Sequence, residues 1–144
     1  MAKGKLNIER IIETFEFLRD WEQRYQFLDE LGEKLPPMDP ADQNDENRVH
    51  QCMSMVWVVP RPDPENPDLL DYSGDCDTST IKGVVAILVT LFSGKTPREI
   101  MDTDVDQMFS HLDLFEHLSP TRHVGVYAIV EKMKKQAAPY LENA

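Results

Sequence analysis

Cys52 is the residue best placed to do chemistry. Polar Asn47, Arg48, His50 and Gln51 surround its approach, and an alternating stretch, Met53 to Trp57, follows it. This pattern delivers a thiol to the mouth of a strand, where a partner can reach it. The reactive form of cysteine is the thiolate, which neighbouring cations such as Arg48 and protonated His50 favour. The other reading is a buried structural cysteine, the commoner fate of a free thiol. Composition and pattern alone leave both open.

Metal and cluster chemistry fit less well. Iron–sulfur clusters and structural zinc need about four Cys or His ligands. This chain has two cysteines, Cys52 and Cys76, and no CxxC spacing. His111, His117 and His123 recur every six residues, which spreads them around a helix, so they read as surface histidines. A Cys–His protease with His123 as base lacks anything that orients the pair. There is no glycine-rich phosphate loop and no nucleophile elbow.

The elements that position Cys52 follow from periodicity. Ile8, Ile11, Ile12, Phe15 and Leu18 form a helical stripe behind Asn7 as N-cap. Asp20 and Gln23 have capping-box spacing before Trp21, Tyr25, Leu28 and Leu31, so two helices, or one kinked near Asp20, are expected. Gly32 suits the position just past a helix end, and Pro36-Pro37 forbids continuation. Residues 36–47 read as an acidic surface loop. Met53 to Val59 reads as a strand and Leu69 to Tyr72 as its antiparallel return, joined by a connector with four prolines.

Asp77 is expected to cap a strong helix bearing Ile81, Val84, Val85, Leu88 and Phe92, which Gly94 ends. Thr96-Pro97-Arg98-Glu99 combines an N-cap, a proline at N1 and a capping-box glutamate. Ser119-Pro120 opens a last helix with Val126, Ile129, Val130 and Met133 facing inward. The expectation is α+β: one domain over residues 1–144, with a small antiparallel sheet covered by helices.

Charge narrows the function. Lys plus Arg number 15 and Asp plus Glu 26, a net −11. Binding nucleic acid needs a basic patch to neutralise phosphates, and none is evident. The densest basic run, Lys132-Met133-Lys134-Lys135, is expected to favour the dipole at a helix C-terminus. Met1 to Leu6 holds no apolar stretch of a signal peptide, and the longest apolar run is far below the ~20 residues that span a bilayer. A cytoplasmic protein without a disulfide framework is expected.

The stretch Asn47-x-Val49-x-x-Cys52-x-Ser54-x-Val56-Trp57 resembles the motif around the persulfide-carrying cysteine of the SufE family. Gly74-Asp75-Cys76-Asp77 with Lys82-Gly83 is similar to the second family motif, and Leu118-Ser119-Pro120-Thr121-Arg122 with Gly125 to the third. Trp21-Glu22-x-Arg24-Tyr25 and Leu31-Gly32-x-x-Leu35-Pro36 match upstream. The motifs come in family order and spacing along nearly the whole chain. Two positions depart from the pattern. Gln51 replaces the usual glycine before the cysteine, which would strain the loop if that glycine takes a positive φ. Cys76 stands where a small residue such as serine is usual; it reads as a conservative swap or as a second thiol near Cys52.

The resemblance implies a fold shared with the IscU scaffold proteins and a sulfur acceptor that activates a cysteine desulfurase of the SufS or CsdA type. Cys52 would carry the persulfide to downstream iron–sulfur assembly proteins. Asp75 and Asp77 would hold the neighbouring loop and help docking, Arg122 would brace the site, and Cys76 and His50 would support it. Pyridoxal phosphate would belong to the desulfurase, with no cofactor or metal in this chain. No independent catalytic reaction, no nucleic acid and no membrane are implied, and a homodimer is allowed. The rival readings are an iron–sulfur scaffold, which the missing ligand cysteines oppose, and a non-catalytic interaction module.

Overall fold

The structure, a computed structural model, describes residues 7–51, 54–113 and 120–141, with side chains from residue 123 onward in the last segment. Within these residues six helices surround a two-stranded antiparallel sheet, so the fold is α+β.

The first two helices are separate. Helix α1 (Ile8–Phe17) is capped by Asn7, whose Oδ1 accepts the N–H groups of Glu9 and Arg10. Its carbonyl end is closed by Arg24, which donates to the carbonyls of Phe15 and Leu18. The same guanidinium lies 5.7 Å from the Phe15 ring centre and 5.1 Å from that of Trp21. Asp20 caps helix α2 (Trp21–Lys34) through the Glu22 N–H.

Gly32 corrects the sequence reading. It lies buried inside α2, not beyond its end. The reason is helix packing. A Cβ on Gly32 would sit 3.1 Å from the Gly83 nitrogen, and one on Gly83 would sit 2.1 Å from the Leu28 carbonyl oxygen. Helix α2 and helix α3 (Ser79–Phe92) therefore meet backbone against backbone. Helix α3 is buried nearly all round, from Ile81 through Val84, Val85, Ala86, Ile87 and Leu88 to Phe92. It ends at Gly94, whose φ of 73° is the left-handed conformation glycine tolerates best.

The 36–47 segment is not all surface. Met38 and Asp42 are buried, and Pro40–Asp42 forms a 3-10 turn. Asp42 accepts two bonds from Arg61, at 2.7 and 2.8 Å, which fastens this segment to the sheet. The Arg61 hydrogen bonds hold the Asp42 carboxyl below its ordinary range.

The strands are displaced from the expected spans. Strand β1 is Val56–Pro62 and β2 is Leu70–Cys76, paired from Val56 opposite Cys76 to Pro62 opposite Leu70. Pro60 and Pro62 thus lie inside a strand instead of in the connector. Val56 and Val58 turn their backbone groups away from β2, toward the Val49 N–H and the Asn47 carbonyl respectively. The two-residue period turns Pro60 and Pro62 the same way, so their missing N–H groups cost no ladder bond.

Helix α4 (Pro97–Asp102) has the expected Thr96–Glu99 capping box. Helix α5 (Val105–Leu112), capped by Asp104, was not expected. Helix α6 (Pro120–Leu141) buries Val126, Ile129, Val130 and Met133, as expected. Its basic run corrects the dipole reading, since the helix continues six residues past Lys135. Lys132 instead donates to the Glu46 carbonyl and Lys134 to that of Thr103. Among the described residues no helix is long and apolar enough to cross a membrane.

Gly83→Ala tests the helix contact. Overpacking usually costs about 1–3 kcal/mol, and backbone has little room to yield, so a loss at or above ~3 kcal/mol is expected in chemical denaturation. A wild-type midpoint would show that α2 and α3 do not touch in this way.

Candidate functional site

Cys52 and Met53 lie outside the described residues, but the chain on both sides of them is fixed by polar contacts. Upstream, the Asn47 N–H bonds Asn44, and its side-chain amide donates to the Asp42 carbonyl at 3.0 Å. The Asn47 carbonyl accepts the Val58 N–H, and buried Val49 donates to the Val56 carbonyl at 2.8 Å. Residues 47–49 thus form a short rung against the start of β1, and the Cys52 segment is closed at Val49 and Val56.

His50 is exposed and turned back on its own loop. Its Nε2 lies 3.1 Å from the Asp45 carbonyl and 3.5 Å from the Asp45 carboxylate. Arg48 is half-buried. Gln51 adopts no positive φ, because Asp113 is the one non-glycine residue that does so among the described residues. The replacement of glycine at position 51 therefore carries no left-handed strain here.

Downstream, the strand pairing runs on past the sheet. The Met55 N–H donates to Asp77 Oδ1 at 3.0 Å, and the Asp77 N–H donates to the Met55 carbonyl at 3.1 Å. One step further, Ser54 Oγ lies 2.8 Å from Thr78 Oγ1. Asp77 is thus not the cap of α3, as the sequence suggested. The N-cap is Thr78, and the Asp77 carboxylate is committed to the Met55 backbone and the Thr78 hydroxyl.

Asp75 joins three elements. Its Oδ1 accepts the Cys76 N–H at 2.8 Å and lies 3.3 Å from Lys82 Nζ on α3. Its Oδ2 accepts from Gln43 at 2.8 Å. The Gly74-Asp75-Cys76-Asp77 run therefore ties Gln43, Met55 and Lys82 together. Cys76 is a core residue, 6% exposed, and its Sγ accepts the Thr78 N–H at 3.4 Å. Burial suits the reading of a serine-like residue at a helix start. Arg122 lies in the first turn of α6, and its side chain is outside the described residues.

Sequence reasoning missed Gln43, which nothing in its acidic surroundings marks, and Thr78, one of four polar residues at the start of α3. Among the described residues no three His, Cys, Asp or Glu side chains are close enough to hold a metal ion. His111 is exposed beside Glu16 at 3.7 Å, and His123 is half-buried. His117 lies outside the described residues. What the geometry offers is a short segment with polar anchors at both ends. Thiol exchange asks for little more than an accessible thiolate.

Comparison with known proteins identifies the family and the fold. Residues 9–137 match the SufE family, the Fe-S metabolism associated domain. An uncharacterized SufE-like protein of Rhizobium etli is 38% identical over 143 residues, covering 95% of this chain and 96% of that protein. A second, from Rhizobium meliloti, is 38% identical over 133 residues, covering 91% and 94%. The solution structure of a hypothetical protein from Thermus thermophilus shares the fold, with a TM-score of 0.75 at 22% identity, covering 94% of this chain and 96% of that one. By the family match and the level of identity, this chain belongs to the SufE family.

Proposed function

We propose that the protein accepts sulfur from a cysteine desulfurase on Cys52, stimulates that enzyme, and delivers the sulfur to iron–sulfur cluster assembly. The observation that carries this reading is the SufE family match, associated with Fe-S metabolism, around a chain that holds the family's cysteine motif at Asn47–Trp57. The acting unit is a single domain, cytoplasmic, with no cofactor of its own; pyridoxal phosphate belongs to the desulfurase.

The transfer balances without an added oxidant. The Cys52 thiolate attacks the outer sulfur of the desulfurase persulfide. A sulfur–sulfur bond forms on Cys52 as the one on the desulfurase breaks. The desulfurase cysteine leaves as a thiolate and takes up a proton equivalent to the one Cys52 gave up. In this reading Asp77 holds the segment through Met55, and Asp75 ties the Gly74–Asp77 run to Gln43 and Lys82. His50 stiffens the upstream anchor through Asp45. Arg122 braces the site, and Cys76 supports it from the core.

Three measurements test the reading. Incubated with a desulfurase and cysteine, the wild-type protein should gain the mass of one sulfur atom. Cys52→Ser should fold, gain none and give no stimulation. Full stimulation by that variant would sink the assignment.

Asp77→Ala removes the acceptor for the Met55 N–H, an exposed bond worth about 1 kcal/mol. Alkylation of Cys52 in the isolated protein should then speed up several-fold. An unchanged rate would show that Asp77 does not hold the segment.

The net charge of −11 should help draw in the desulfurase. The dissociation constant should rise with salt as the Debye length shrinks from about 8 Å at 0.15 M to about 3 Å at 1 M. A constant that stays flat would mean that docking is apolar.

A further inference from the structure

One turn of α6, Lys132 to Gln136, makes polar contact with both strands and with the chain before β1. Lys132 donates to the Glu46 carbonyl at 2.6 Å, and Gln136 Nε2 donates to the Val58 carbonyl at 2.7 Å. From β2, the Tyr72 hydroxyl donates to the Met133 carbonyl at 2.5 Å. The turn itself is fixed in place by Ile129, Met133 and Ala137, all fully buried. What it grips on β1 is one side of a stem. Residues 47–49 and 56–58 flank the Cys52 segment in the chain, and two bonds join them. The Val49 N–H donates to the Val56 carbonyl at 2.8 Å, and the Val58 N–H donates to the Asn47 carbonyl at 3.0 Å.

Gln136 makes its bond at the expense of another. The Val58 carbonyl only accepts, so the amide must turn its nitrogen that way, and its oxygen is left over. That Oε1 is buried with no hydrogen-bond partner among the described residues. A buried acceptor without a donor loses about as much as a made hydrogen bond gains. The side chain therefore adds little net stability. What it fixes is the place of Val58 against α6.

We propose that Gln136 is a positioning residue for sulfur transfer, acting through Val58 on the stem at residues 47–49 and 56–58. A nucleophile loses rate steeply when its starting position is slightly wrong, so a fixed stem counts once the partner has docked. Loss of the Gln136 amide lowers the rate within the complex and leaves docking alone.

The part in transfer rests on Cys52 as the sulfur carrier, but the hold on the stem is measured without sulfur. Gln136→Met keeps the length of the side chain and removes its polar atoms. In each protein one buried carbonyl oxygen then lacks a donor, Gln136 Oε1 in the wild type and that of Val58 in the variant. The denaturation midpoint should therefore stay at the wild-type value. Amide exchange at Val49 and Val58 should speed up about fivefold, ~1 kcal/mol at ~1.4 kcal/mol per tenfold, while the amides of α3 keep their protection. With a desulfurase and cysteine, the maximal stimulated rate should fall about fivefold or more, and the concentration of this protein that gives half the effect should not change. Unchanged exchange at Val49 and Val58 would overturn the hold on the stem. A lowered midpoint with faster exchange throughout would overturn the positioning role in favour of a structural one. A loosened stem with an undiminished maximal rate would overturn it too. Gln136→Ala supplies the same readings if Gln136→Met does not fold. Stimulation of a desulfurase by Cys52→Ser would overturn the carrier reading and leave the exchange result standing.

Discussion

The absence of a side chain at Gly83 governs the architecture. With a Cβ there only 2.1 Å from the Leu28 carbonyl oxygen, α2 and α3 have no room for one between their backbones. The close crossing lets α3 sink to the centre, where α2 covers one side and the sheet another. Gly74 repeats the arrangement on a smaller scale, since its own Cβ would stand 2.8 Å from Val85 Cγ1. Both glycines sit in family-like motifs, beside Lys82 and Asp75. The residues that hold the Cys52 segment are therefore placed by packing several positions away.

Two kinds of interaction divide the labour. The core is apolar and continuous, from Ile11 and Phe15 through α3 to Met133 and Ala137. The anchors of the Cys52 segment are single hydrogen bonds, each with a net value of about 1 kcal/mol. Regions held this way open at far lower free energy than a core does. The stretch that bears the family's cysteine motif is thereby held differently from the part that keeps the fold.

Much of this was legible in the sequence. Asn7, Asp20 and Thr96 announced helix starts because capping needs only local chemistry. The inner faces of α3 and α6 followed from apolar spacing. The failures were tertiary. Gly32 looked like a helix end because its partner, Gly83, is 51 positions away. The strand limits slipped because Pro60 and Pro62 are tolerable only with an edge on their open side. Helix α5 passed unnoticed because two turns carry little periodicity, although Val105, Phe109 and Leu112 all point inward. In the site, the family's cysteine motif was readable. The choice of Thr78 over Asp77 as the cap was not, since both residues suit that position and only the place of Met55 decides between them.

The paired prolines of β1 have a consequence for the protein in solution. A two-stranded sheet has two open borders, and an open border is a template on which another chain can align and grow. On the outer border of β1, Val58 is occupied at both polar atoms, by Asn47 and by the Gln136 amide. Beyond it, buried Pro60 and exposed Pro62 offer no donors. An incoming strand would find only half of a ladder. The border is thus guarded against self-association and fibril growth by covalent structure, a protection that no side-chain rearrangement can remove.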